Sequence, residues 1–252
     1  MTEGYKASIE MMTEEIVAWL REYKAGTGQA GFVVGLSGGI DSAVVAQLIA
    51  RACPEHSLGV IMPAGNLPID AEHGILSAQA ANLPYVTVDL TEERQRLTDS
   101  VAAALSSQGL GAEEPRMVQG NIGARLRMTT LYAVGNSLNY LVVGTDNLAE
   151  SYTGYFTKYG DGGVDIQPIS HLTKGEVYAM AQYLGVPKAI IDRAPSAGFF
   201  HNQTDEAELG VAYEEIDAYL QGENISGEKR RIIEELHEKS QHKRHMPPTV
   251  KD

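Results

Sequence analysis

The chain has 252 residues, with 20 Lys and Arg against 33 Asp and Glu for a net charge of -13, and a single Cys. The length suits one domain with a filled core; the charge excludes a globally basic nucleic-acid-binding surface, and a lone Cys53 excludes an intrachain disulfide, a CxxC redox pair or a cysteine-based zinc site. The acidic, amphipathic N-terminus and the lack of any run of about 18 apolar residues exclude a secretory leader and a membrane span, so a soluble, cytoplasmic protein is expected.

Ile9, Met12, Ile16, Trp19 and Leu20 recur at helical spacing and predict an amphipathic helix over residues 8 to 24, broken by Gly26 and Gly28. The apolar run at 32 to 36 predicts a buried strand, and a helix follows from Ser42 to Ala52. A second strand at 58 to 62 leads through Pro63 to a helix around 69 to 82. A third strand at 85 to 89 precedes a helix to about Gln108 that Thr91 is placed to cap. Pro115 opens a helix reaching Ser137, residues 140 to 144 form a fourth strand, and 165 to 169 read as a short fifth, near an edge because of Pro168.

Strands alternating with helices predict an α/β fold, an open doubly wound parallel sheet of about five strands with helices on both faces and a helical C-terminal third. Residues 205 to 238 carry eleven Asp or Glu against three Lys or Arg, which reads as a solvated helix face. The basic tail from Gln241 to Pro248 reverses the sign, and its composition makes it a candidate for disorder.

The strongest signal is Ser37-Gly-Gly-Ile-Asp-Ser42, set between the first strand and its helix. Paired glycines let the backbone turn tightly and aim N–H groups inward, and the helix directs its positive end at the same point, so the turn suits a phosphate. Ser37 and Ser42 add hydroxyls, and Asp41 places a carboxylate where phosphate-bound magnesium would sit. The Walker spacing is absent, which argues against γ-phosphoryl transfer. Glu150, after the fourth strand, is placed to share the magnesium with Asp41 if the first and fourth strands adjoin. Thr173-Lys-Gly-Glu176 reads as a capping box.

The loop resembles that of the N-type ATP pyrophosphatases, which cleave ATP between the α and β phosphates and activate a substrate as an adenylate. Asn121 to Met128, Val143 to Glu150, Gly154 to Asp165, Ala194 to Gly198, Gln203 to Glu206 and His242 to Arg244 narrow the resemblance to the NAD synthetase family, over about residues 8 to 248. It implies an adenine nucleotide alpha hydrolase-like fold. It also implies magnesium at Asp41 and Glu150, and ATP contacts at Gly35, Leu36, Ser37, Gly38, Gly39, Ile40, Asp41, Ser42, Thr145, Lys174 and Ser196. Contacts to nicotinic acid adenine dinucleotide (deamido-NAD) fall on Arg125, Lys158, Asp165, His242 and Lys243. Asp41, Lys174 and Asp161 are the implied catalytic residues, with Asp161 helping to receive ammonia.

Arg125 and Arg127 are two positions apart on a helix, so one meets a pocket while the other meets solvent; the resemblance selects Arg125 for the pocket. The resemblance further implies ATP-dependent amidation through an acyl-adenylate, a homodimer with shared active sites, and free ammonia as nitrogen donor, since no amidase domain with a catalytic Cys precedes the first strand. No partner among nucleic acids or membranes is expected. From the residues alone, another adenylating pyrophosphatase or a non-catalytic nucleotide sensor would use the same loop.

Overall fold

A computed structural model describes residues 2–111, 115–195 and 204–250. Four parallel strands, β1 (Gly31–Gly35), β2 (Ser57–Ile61), β3 (Tyr85–Thr87) and β4 (Tyr140–Val143), form a sheet in the order β3-β2-β1-β4. The chain winds from β1 outward through β2 to β3, then returns past β1 to add β4 on the other side. That reversal opens a crevice at the C-terminal ends of β1 and β4, where an open α/β sheet binds ligands.

Alternation along β1 builds two cores. Phe32 and Val34 face one side with α1 (Glu3–Thr27), α2 (Ile40–Ala52) and α7 (Lys174–Leu184). Val33 faces the other with Val60, Leu131 and Val142, under α4 (Thr91–Ser106) and α5 (Pro115–Leu138). Between β2 and β3, α3 (Pro68–Ala80) makes the crossover, and α8 (Lys188–Ile191) packs against α2 and α3. A third cluster holds Ala149 of α6 (Leu148–Thr153) against Leu209 of α9 (Asp205–Leu209), Tyr213 and Ile216 of α10 (Tyr213–Leu220) and Ile233 of α11 (Gly227–Lys239). Among the described residues, the elements after α6 are all helices, ending in α12 (Gln241–Arg244).

The sheet has four strands among the described residues, not about five. Residues 165 to 169 contribute one parallel bridge, Val143 to Ile166. Pro168 removes a ladder donor, and the Asp165 carboxylate itself accepts the Val142 N–H at 2.8 Å, replacing a backbone partner with a side chain. Three local expectations also shift. Gly26 lies inside α1, which ends only where Gly28 adopts φ 72°; a side chain beyond the last turn would be strained there, and glycine is not. Thr91 is the first residue of α4 rather than its cap, and Asp89 accepts the Thr91 N–H while the Thr91 hydroxyl accepts from Gly65 N–H. Of the basic tail, Gln241–Arg244 forms α12.

Candidate active site

The turn after β1 is shaped by its own small residues. Gly38 takes φ 83°, and a Cβ there would come within 2.5 Å of the Asp70 carbonyl oxygen. Ser42 donates to the Gly39 carbonyl at 2.9 Å and lies 3.1 Å from the Ser37 hydroxyl, which accepts from Gly39 N–H. The two serines therefore brace the turn from within. Gly39 precedes α2 with no side chain capping that helix, so the positive end of α2 faces the crevice directly.

A cavity of about 540 Å³ opens here. Of the sequence-assigned ATP residues, Gly35, Leu36, Ser37, Gly39, Ile40, Asp41, Ser42, Thr145 and Lys174 line it. Gly38 shapes the same turn, and Ser196 lies outside the described residues. Glu150 and Asp161 also line the cavity.

Asp41, Glu150 and Lys174 come from α2, α6 and α7 and meet at one point. Lys174 is 2% exposed, and its Nζ donates to Asp41 Oδ2 at 2.7 Å and approaches Glu150 Oε1 at 3.5 Å. Two capping boxes set this geometry. Thr173 caps α7 and Glu176 reciprocates, fixing Lys174 at the first helical position. Asn147 caps α6: its Oδ1 accepts the Glu150 N–H, while Glu150 Oε2 accepts the Asn147 N–H at 3.1 Å, leaving Oε1 toward Lys174. The fully buried Asn147 also donates through Nδ2 to Asp41 Oδ1 at 3.0 Å. One side chain thus aligns both carboxylates.

Burial alone would discharge Lys174, but Asp41 and Glu150 outweigh it and hold the ammonium above its ordinary range. Burial pushes the Glu150 carboxyl up to about 7, with Lys174 opposing and Asp41 adding to the rise. Tyr213 donates to this group from the far side, its hydroxyl 3.2 Å from Glu150 Oε1 and 3.0 Å from Asp205 Oδ2, and the Lys174 ammonium lies 4.7 Å over its ring. Asp205 is buried and also receives the Tyr155 hydroxyl, so this member of the acidic C-terminal run is an inward support rather than a solvated charge.

Two hard oxygen donors converging on one cation, beside a turn that accepts phosphate, fit magnesium, which takes few protein ligands and fills the rest of its shell from phosphate and water.

The residues that the resemblance assigns to deamido-NAD gather elsewhere, at the Gly154 to Asp165 loop. Arg125 is exposed and donates to the Lys158 carbonyl at 3.3 Å; Lys158 Nζ donates to the His242 carbonyl. Lys243 reaches the Gly154 and Phe156 carbonyls at 2.8 and 2.7 Å. Asp165 receives the Tyr132 hydroxyl at 2.9 Å and the Val142 N–H. These five flank the loop without lining the cavity.

Arg127, not Arg125, enters the cavity, where it bonds the Met62 carbonyl at 3.1 Å and Asn66. The spacing of the two arginines separated their faces; only the packing of α5 against β1 and β4 decides which face points inward. Asn147, Tyr213, Asp205 and Asp146 were also missed. For Asn147 a signal was present, since Asn147 and Glu150 spell a capping box. Asp146 and Asp205 lie inside the Val143 to Glu150 and Gln203 to Glu206 segments that carry the resemblance, with no role assigned to them there; nothing local marks Tyr213.

The sequence profile described as NAD synthase matches residues 12–247. An "NH(3)-dependent NAD(+) synthetase" from Alkaliphilus oremlandii is 53% identical over 97% of this chain and 98% of its own. Among solved structures, an NMN synthetase from Francisella tularensis superposes with a TM-score of 0.88 at 38% identity, covering 96% of this chain and 98% of its own. An NH3-dependent NAD synthetase from Campylobacter jejuni, in complex with the nitrate ion, gives 0.75 at 29%, with 96% and 98% covered.

Proposed function

The chain belongs to the NAD synthase family, and on that premise we infer that it is a ligase catalysing ATP-dependent amidation of nicotinic acid adenine dinucleotide with ammonia, the last step in forming NAD. The observation that carries this reading is the meeting of Asp41, Glu150 and Lys174 beside the Ser37 to Ser42 turn in one cavity.

A carboxylate is a poor acyl donor because its leaving group would be oxide. In the proposed course the nicotinate carboxylate attacks the α-phosphorus, giving an acyl-adenylate, and pyrophosphate leaves into the turn, where backbone N–H groups and the α2 N-terminus receive its charge. Asp41 and Glu150 would hold magnesium on the triphosphate, and the ion would supply charge neutralisation of the departing phosphates. Lys174, kept charged, moves from its carboxylates toward the phosphate charge. Ammonia then attacks the acyl carbon and AMP leaves, so no covalent enzyme intermediate arises. Asp161 borders the cavity and accepts the Thr157 N–H at 2.9 Å, which holds its carboxylate in place for a proton from the nitrogen.

Deamido-NAD would lie between the cavity and the flanking Arg125, Lys158, His242 and Lys243, where its pyrophosphate meets cations. The protein is proposed to act in the cytoplasm as one domain, and as a homodimer whose active sites lie at the interface. Among the described residues, no helix is long and apolar enough to cross a membrane.

The Francisella structure, described as an NMN synthetase, favours a second reading in which the acceptor is the mononucleotide acid. Both are tested by following AMP and pyrophosphate with ATP, magnesium and ammonium against the dinucleotide and mononucleotide acids and other carboxylates. Turnover with the dinucleotide, nearly lost in Asp41→Asn, is expected; higher kcat/KM with the mononucleotide would move the assignment, and ADP with phosphate as products would refute it.

A further inference from the structure

One carboxylate in the crevice has no part in that scheme. Asp146 stands between Thr145 and Asn147 beyond β4, is 5% exposed, and lines the cavity. Its Oδ2 is enclosed and has no hydrogen-bond partner among the described residues. The cationic side chains that line the cavity are committed elsewhere: Lys174 to Asp41 and Glu150, Arg127 to Met62 and Asn66, and Arg193 to Asp70. Burial, then the Asp161, Glu150 and Asp41 carboxylates, push the Asp146 carboxyl well up. With its carboxyl pushed up and one enclosed oxygen lacking a donor, Asp146 ionises only at a cost, and a small cation bearing N–H groups offsets that cost.

The nitrogen substrate arrives as such a cation, because ammonium, like the Lys amine, keeps its proton at neutral pH. Converting ammonium and an acyl-adenylate to an amide and AMP releases two protons. One must leave before the lone pair is free to attack; the other leaves the same nitrogen once the C–N bond has formed. With Asp41 and Glu150 assigned to the metal, four further carboxylates line the cavity; Asp70 pairs with Arg193 and Asp205 accepts from Tyr155 and Tyr213, which leaves Asp146 and Asp161 for the nitrogen.

We propose that Asp146 captures the ammonium ion and accepts its first proton, delivering ammonia to the acyl carbon. The assignment rests on the amidation reading above. Ammonium leaves one proton on Asp146; the freed lone pair forms the C–N bond; the acyl C–O bond to phosphate breaks, its electron pair leaving with AMP; and the second proton passes to Asp161.

The test separates the two half-reactions in Asp146→Asn. Exchange of labelled pyrophosphate into ATP, with the acid substrate and no ammonium, reads adenylation; KM for ammonium reads capture. Loss of one charge-assisted hydrogen bond should raise that KM by about 10- to 100-fold, while exchange stays within about twofold of wild type. Hydroxylamine, a nucleophile uncharged at neutral pH, should still trap the adenylate as hydroxamate in Asp146→Asn, and Asp146→Glu should recover part of the ammonium affinity. An unchanged ammonium KM, parallel loss of exchange and amidation, or a shift confined to the magnesium requirement would overturn the assignment. Should the wild-type protein itself fail to exchange pyrophosphate with the acid, the amidation reading falls first and takes this assignment with it.

Discussion

At the scale of single residues, the site depends on side chains that touch no substrate. Asn147 accepts from Glu150 N–H and donates to Asp41, so it joins a helix cap to the alignment of the two carboxylates. In Asn147→Asp the cap survives and the donor becomes a carboxylate facing Asp41. Urea unfolding should then show a loss of about 3 kcal/mol, typical of an uncompensated buried charge, and magnesium with ATP should restore part of it. Glu150 yields a pH effect. Its folded-state carboxyl is raised from 4.5 to about 7 by burial, against Lys174 and with Asp41. Through that interval the folded protein keeps a proton that the unfolded chain gives up, so nucleotide-free protein should lose stability as pH rises from about 4.5 to about 7. Thermal midpoints across this range should fall in wild type and flatten in Glu150→Gln. The phosphate turn, Asp41 and Lys174 were legible because their chemistry sits in contiguous motifs. Tyr213 was not, since its contacts to Glu150 and Asp205 join elements that fold onto one point, and the burial that singles out Asp146 within its motif appears only in the folded chain.

At the scale of elements, most of the architecture was legible because strand runs and helix periods are local signals. The misreadings came where side chains took over backbone bonding. Asp165 satisfies Val142 and makes a fifth strand unnecessary, and the tail folds because α6 ends in unsatisfied carbonyls. Arg244 donates to the Ser151 and Tyr152 carbonyls at 3.3 and 3.0 Å, Ser240 to Thr153 at 3.1 Å, and Lys243 to Gly154. A basic segment that looks disordered by composition is thereby a C-terminal cap for the helix carrying Glu150. Gly154 is the pivot: it has φ 69°, and a Cβ there would collide with the Ser240 side chain. Gly154→Ala should undock α12, exposing residues 240 to 250 to rapid amide exchange and limited proteolysis. Because Lys243 and Lys158 tie the loop to this tail, KM for the dinucleotide should rise more than kcat falls. Retained protection in the tail would show that the docking does not depend on this backbone geometry.

At the scale of the whole molecule, the net charge of -13 is distributed so that cations flank the crevice while acidic helices lie on the C-terminal side. A different asymmetry concerns apolar surface. No residue of α4 is buried, although Leu97, Val101 and Leu105 recur on one stripe at four-residue spacing. Met117 and Val118 on α5, which packs beside α4, and Tyr85 and Val86 on β3 are likewise exposed. The exposed stripe on α4 is apolar surface that a second copy of the chain would cover in the proposed homodimer. Because Val101 is already solvated, Val101→Glu should change the stability of the isolated chain by no more than about 0.5 kcal/mol. In a self-associating pair the same charge would appear twice across a two-fold axis, desolvated and facing its own copy. Sedimentation velocity should therefore show wild type as a dimer and Val101→Glu as a folded monomer. If the second substrate is held between subunits, that monomer should bind ATP normally and lose affinity for deamido-NAD. A fully active monomer would instead place the entire site within one chain.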